Sequence, residues 1–255
     1  MASRTPRTTA LLIALGTTRA VHAALRGRAP GRPGRWHRSN YAGRTVDLYA
    51  GPATVLGAAA GAGTAPPGVR GAVALAVLAA GACGAYDDHA GVDDPRRGFR
   101  AHLGALRRGE VTTGAVKLLG IGAAALAAGA LLKERPVDRL LAAVVIAGGA
   151  HCVNLLDVRP GRACAGVLAL GAPGVLRGGT AGALAAVPVG AAAAVLGADL
   201  GERSMLGDTG AHALGAALGA AVVAGTGRAG LAVHALGVVA ATAYGDRGGS
   251  RRPHE

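Results

Sequence analysis

Residues 113–132 read TGAVKLLGIGAAALAAGALL. This run carries a single charge, Lys117, and no aromatic side chain. A helix of that length crosses the roughly 30 Å hydrocarbon core of a bilayer. A core helix of a soluble domain would bring bulkier side chains to its packed face. The fold turns on whether this segment is an exception in the chain or the rule.

It is the rule. About nine apolar segments approach spanning length. They lie at 8–25, 46–63, 69–86, 113–132, 138–155, 163–176, 180–198, 209–225 and 229–244. Pro173 interrupts the short sixth segment, and Pro188 lies in the seventh, where a membrane helix tolerates a kink. The expectation is an all-α fold, a polytopic membrane bundle of about nine transmembrane helices. Residues 1–245 form one membrane domain in this reading, and 246–255 a short basic tail. The chain has 255 residues, 51% hydrophobic but only 2% aromatic, with 44 Gly. Gly and Ala let helices approach closely. Only two lysines, Lys117 and Lys133, stand among the 27 Lys and Arg, which indicates a coding bias toward Ala, Gly and Arg. Run length therefore carries the argument, and small-residue content does not.

The net charge is +13. Loops after the first, third, fifth, seventh and ninth segments hold most of the basic residues, among them Arg26, Arg38, Arg96, Arg159 and Arg203. The positive-inside rule puts those loops and the tail in the cytoplasm and the N-terminus outside. The opening MASRTPRTTALLIALGTTRAVHAA also reads as a signal peptide, with a basic start and an A-x-A-like end. Read as a span with its start inside, it would leave the most basic loop outside. One Phe and one Trp give almost no stacking platform, so no nucleic-acid partner is expected. Cys83, Cys152 and Cys164 are odd in number and form no CxxC pair, which argues against a disulfide framework or a thiolate metal site.

The 14 acidic residues are placed selectively. Asp87 and Asp88 close the third segment in GAYDDHAGVDD. Asp157 closes the fifth in CVNLLDVRPG. Asp199, Glu202 and Asp208 bracket the turn before SMLGDTGAHALG. Carboxylates at membrane depth are costly and mark function. Plainer roles exist for each. Asp208 suits a helix N-cap, Lys117 a snorkelling lysine, and Asn154 an interhelical hydrogen bond. Asp93 and Asp94 suit solvated loop charges, and Asp47, Asp138 and Asp246 interfacial ones. What favours a site is the coincidence of an Asp pair, an Asn-x-x-Asp and a GDTG on one membrane side, with basic residues among them. Hard oxygen ligands suit Mg²⁺, which binds through one or two carboxylates plus substrate phosphates. Arg and Lys hold a diphosphate. Phosphoryl transfer between a soluble nucleotide and a lipid needs those parts.

Four stretches carry a resemblance to a known family. They are YDDHAG (86–91), VTTGAVKLLG (111–120), NLLDVRPGRA (154–163) and MLGDTGAHALG (205–215). In order and spacing they resemble the polyprenyl-phosphate N-acetylhexosamine-1-phosphate transferases, which include phospho-N-acetylmuramoyl-pentapeptide transferase. The resemblance runs from about residue 36 to 220. It implies transfer of a sugar phosphate from a UDP-sugar to polyprenyl phosphate, with release of UMP, in cell-wall or envelope polymer synthesis. It implies a multi-pass protein of the cell membrane with its site on the cytoplasmic face. Asp208 then resembles the Mg²⁺ ligand, with Mn²⁺ the alternative ion. Asp87 and Asp88 resemble the pair near the lipid phosphate, one of them a base. Lys117 resembles the phosphate-binding lysine. Asn154 and Asp157 resemble nucleotide-side or catalytic residues, and Arg159 and Arg162 substrate-binding ones.

The sequence also departs from the family pattern. Pro160 stands at the second Asp of the loop after the fifth segment, and Ala211 at the Ser after GDTG. RWHRSNYAGRTV replaces a Pro-Thr-Met-Gly-Gly stretch. The late His-rich loop has no counterpart, since the tail offers only His254 and reads as ending before a tenth span. These departures define the alternative, a non-catalytic relative that binds lipid phosphate or an envelope-assembly partner. A transporter is a third class, and no inverted repeat of motifs supports it. Small-residue helix faces would also suit a homo-oligomer.

Overall fold

The computed structural model describes residues 6–92, 94, 96 and 99–249. The first five residues, Asp93, Arg97 and residues 250–255 of the tail lie outside the described residues. Among the described residues the chain forms ten α-helices and one small hairpin. The helices are α1 (Pro6–Gly27), α2 (Ala50–Ala62), α3 (Pro67–Ala90), α4 (Phe99–Arg107), α5 (Thr113–Leu132), α6 (Pro136–Leu156), α7 (Arg162–Arg177), α8 (Gly179–Leu200), α9 (Gly207–Gly225) and α10 (Arg228–Gly249). Five of them, α1, α3, α5, α6 and α8, are long and apolar enough to cross a membrane. The fold is thus all-α, with membrane-length helices. Residues 6–27, the stretch that also reads as a signal peptide, form α1 and pack against α2 and α8.

One expectation changes. The segment at 46–63 is not one long helix. Its first residues belong to strand β2 (Thr45–Asp47), which pairs antiparallel with β1 (His37–Ser39), so α2 has only 13 residues. The turn between the strands explains this. The Asn40 side-chain oxygen accepts from the Ala42 and Arg44 N–H groups, both at 3.0 Å, and Gly43 takes φ +75°. An Asn that bonds the backbone two and four residues on folds the chain back rather than into a helix. Between α3 and α5 the chain also forms α4, whose Phe99, Leu103 and Leu106 recur at helical spacing.

Helix α9 is the centre of the bundle, with nearly every residue buried. It packs against α2, α3, α6 and α8. Its glycines sit where helix backbones touch. A Cβ on Gly215 would run into the Gly149 carbonyl of α6, and one on Gly84 of α3 into the Asp208 carbonyl of α9. This close approach explains how a core with so few aromatics fills its space.

The connections α1–α2, α3–α5, α6–α7 and α8–α9 gather at one end of the bundle. There β2 docks on the α8–α9 turn, where Asp47 accepts from Met205 N–H at 2.8 Å and donates its own N–H to Arg203 at 3.3 Å. At the other end Lys133 donates to the Thr226 carbonyl at 2.9 Å, and Arg228 pairs with Asp138 at 2.6 Å.

Candidate functional site

The last turn of α3 carries Asp87 and Asp88. Adjacent helix residues point about 100° apart, so the two carboxylates meet different neighbours.

Asp87 faces α5. Thr112 caps that helix, its hydroxyl accepting from Ala115 N–H at 3.0 Å, and His102 of α4 bonds the same hydroxyl at 2.9 Å. One turn in, Lys117 reaches back. Its ammonium bonds Asp87 Oδ2 at 2.7 Å and also Asp208 Oδ2 in the first turn of α9. The three side chains are only 18%, 19% and 24% exposed. They come from three helices, and each acid is held by a charge that is itself largely desolvated. Removing one partner of such a set strands the other.

Asp88 faces α9. Its Oδ1 accepts from Asp208 N–H at 3.0 Å. Its Oδ2 accepts from Thr209 N–H at 2.9 Å and from the Thr209 hydroxyl at 2.6 Å. The first turn of a helix has N–H groups without intrahelical partners, and here a residue 120 positions away supplies the acceptor. Asp208 lies inside the helix, so the capping role open to it from sequence is filled by Asp88 instead. Gly207 precedes it with φ +60°, and a Cβ there would come within 2.9 Å of Asp88 Oδ2. Glycine thus serves both the left-handed turn and the close approach of the carboxylate.

Asp157 lies just past the end of α6, its N–H donating to the Asn154 carbonyl at 3.1 Å. Asn154 sits half-buried in the last turn of the same helix. Burial pushes the Asp157 carboxyl well above the usual range. The charges of Asp199, Asp208 and Asp88 push the same way, and a bond from the Gly207 backbone opposes them. Asp157 lines a cleft of about 90 Å³ together with Tyr41, Arg159, Asp199, Glu202 and Met205. The Arg159 guanidinium lies 5.3 Å from the centre of the exposed Tyr41 ring. Arg162 is exposed at the start of α7. Among the described residues neither arginine pairs with Asp87, Asp88 or Asp208. The structure therefore brings Asp87, Asp88, Lys117 and Asp208 into one constellation. It sets Asp157 and Arg159 in an adjoining cleft, with Arg162 outside both.

Several participants were assigned no role in the site from sequence. Thr209 completes the contact with Asp88. Arg38 of β1 donates to the Asp88 carbonyl. Asp199, buried in α8, accepts from Gly161 N–H at 3.1 Å and so pins the α6–α7 turn. His212, one turn beyond Asp208, bonds the Asp208 carbonyl at 2.7 Å. Trp36 packs edge-on to His89 at 5.0 Å and tilts against Tyr49 at 5.6 Å, fastening the hairpin to α3. The aromatic-containing RWHRSNY in so aromatic-poor a chain is the one sequence signal for that docking.

Among the described residues no group of three or more His, Cys, Asp and Glu is arranged to hold a metal ion. Mg²⁺ needs fewer protein ligands, one or two carboxylates with water and phosphate oxygens completing the shell. Asp87 and Asp208 converge on a single cationic group, the Lys117 ammonium, and offer only hard oxygen donors. That donor set fits Mg²⁺, and Mn²⁺ equally. No protein-family model matches the chain, and no curated protein matches it.

Proposed function

We propose that this protein is a membrane transferase that moves a sugar phosphate from a UDP-N-acetylhexosamine derivative to polyprenyl phosphate and releases UMP, as a divergent member of the family it resembles. The observation that carries this reading is the convergence of Asp87, Lys117 and Asp208 from three helices at one end of the bundle. The loops gathered at that end are the basic ones, so the positive-inside rule sets them in the cytoplasm and the N-terminus outside. In this reading α7, α9 and α10 join the five membrane-length helices as spans of the cell membrane, and the 13-residue α2 completes the set of nine only together with the residues that flank it. A soluble nucleotide and a lipid phosphate then meet at one surface.

Asp208 and Asp87 would hold the divalent ion, whose chemistry when bound is to draw negative charge from the diphosphate of the donor. Lys117 sits between the two acids and neutralises phosphate oxygens. Asp157 and Arg159, in the adjoining cleft, serve the nucleotide end together with Asn154. Near neutral pH the lipid phosphate is largely its dianion, so no base is needed to free an attacking oxygen. An oxygen of that phosphate attacks the sugar-bearing phosphorus, the diphosphate P–O bond breaks, and UMP leaves. The contribution of the protein is alignment and charge neutralisation.

The test is UMP release by purified protein with Mg²⁺, a polyprenyl phosphate and a panel of UDP-N-acetylhexosamines. Release should require lipid and metal, and Asp208→Asn should lower it by about a hundredfold or more. Pro160, at the place of a family acid, favours a second reading, a non-catalytic binder of lipid phosphate. Binding of polyprenyl phosphate by folded protein that turns over no donor would select it.

A further inference from the structure

Adjacent aspartates at a membrane surface invite a shared role, and the geometry separates them. Both oxygens of the Asp88 carboxylate are engaged by the first turn of α9, through Asp208 N–H at 3.0 Å, Thr209 N–H at 2.9 Å and the Thr209 hydroxyl at 2.6 Å. Its own backbone carbonyl accepts from Arg38. Asp87 has a different surrounding, the Lys117 ammonium, the Asp208 carboxyl and the Thr113 side chain. From this we infer that Asp88 is a positioning residue, a cap supplied in trans by α3, which sets the direction in which α9 presents the Asp208 side chain. The inference rests on the proposed transferase reading for its catalytic consequence, and on geometry alone for its structural one.

The physical case has three parts. The first N–H groups of a buried helix must find acceptors, because an unpaired buried donor costs about 1–3 kcal/mol. α9 is the most enclosed helix of the bundle, and its N-cap residue, Leu206, has no side chain able to accept. A carboxylate also suits the positive end of the helix dipole, and its bonds to N–H and O–H donors are charge-assisted. Finally, Gly84 on α3 and Gly207 before α9 remove the Cβ atoms that would hold the two helices apart at this point. The cap is thus part of a built contact between α3 and α9. A base, by contrast, needs an oxygen free to take a proton. Taking one at Asp88 would cost it one of these acceptor sites.

Two experiments separate this inference from the reading it rests on. The first is a double-mutant cycle on thermal stability in detergent, which needs no substrate. Asp88→Asn and Thr209→Val should each lower the melting temperature, and the double variant should lower it by clearly less than the sum. Additive shifts would overturn the cap, whatever the enzyme does. The second is steady-state UMP release. Asp88→Asn keeps one carbonyl oxygen for a main-chain N–H. It should retain turnover, reduced about tenfold to a hundredfold, with an unchanged pH profile and a raised Mg²⁺ requirement. Thr209→Val should raise the Mg²⁺ requirement in the same direction. Turnover in Asp88→Asn that is abolished, or that returns only as pH is raised, would overturn the assignment and make Asp88 a base. If wild-type protein releases no UMP while the stability cycle still shows coupling, the transferase reading fails and the cap stands.

Discussion

The first turn of α9 and its middle are held in place by opposite means. In the first turn, polar groups are tied by directed bonds, Asp88 to the backbone and Thr209, Lys117 to Asp208. Two turns on, Gly215 lies against the Gly149 carbonyl with no side chain between the two helices. The middle fixes how closely the helices approach, and the first turn uses that closeness to bring acids and an ammonium together. Polar groups in a membrane bundle are expensive, and a tight apolar contact beside them sets their geometry without adding further polar groups.

This contrast can be broken from either side. Lys117→Met is the strongest intervention. It leaves Asp87 and Asp208 facing each other without a cation and should cost about 3 kcal/mol or more. Added Mg²⁺ should raise the melting temperature of this variant more than that of the wild type, because the donor set then has no ammonium to displace. Equal shifts would show that the two acids do not form a cation site. Gly215→Leu attacks the middle instead. It should lower stability by about 1–3 kcal/mol through overpacking. Denaturant unfolding of the purified variant checks this, and an unchanged midpoint would mean that α6 and α9 are not in backbone contact there.

The smallest effect is expected at the margin of the site. The carboxyl of Asp157 titrates above its unfolded value because it is buried among other acids. The folded protein keeps this proton where the unfolded chain has lost it. The stabilising contribution is therefore full below the ordinary carboxylate range and declines as pH rises toward the raised value. Asp157→Asn cannot ionise and should flatten that decline. Melting temperatures from about pH 4 to about pH 8 would show it, and parallel curves for variant and wild type would contradict it.

Much of the bundle was legible because helix and membrane both act locally on sequence. Runs such as 113–132 and 180–198 declare themselves by length and apolarity, and both are helical here. The start of α2 was not legible, since a hairpin depends on pairing across a turn and on its docking against Arg203 and Met205 far along the chain. The acids were found from sequence as candidates, but not their division of labour. Asp87 and Asp88 are neighbours in sequence, and only the position of α5 and α9 around α3 gives them separate partners. Asp208 followed by Thr and Gly reads as its own cap, while the cap comes from another helix. Thr209 and Arg38 were given no role because nothing local distinguishes a threonine or an arginine that bonds across the fold, and Asp199 was noted among the acids without its partner on the α6–α7 turn.

The most direct measurement is transfer of a labelled sugar phosphate from a UDP-N-acetylhexosamine to polyprenyl phosphate, comparing wild type, Asp87→Asn and Asp208→Asn at equal folded protein. Labelled lipid should form with wild type in the presence of Mg²⁺, and fall by about a hundredfold or more in both variants. Labelled lipid formed at wild-type rate by either variant would contradict the account.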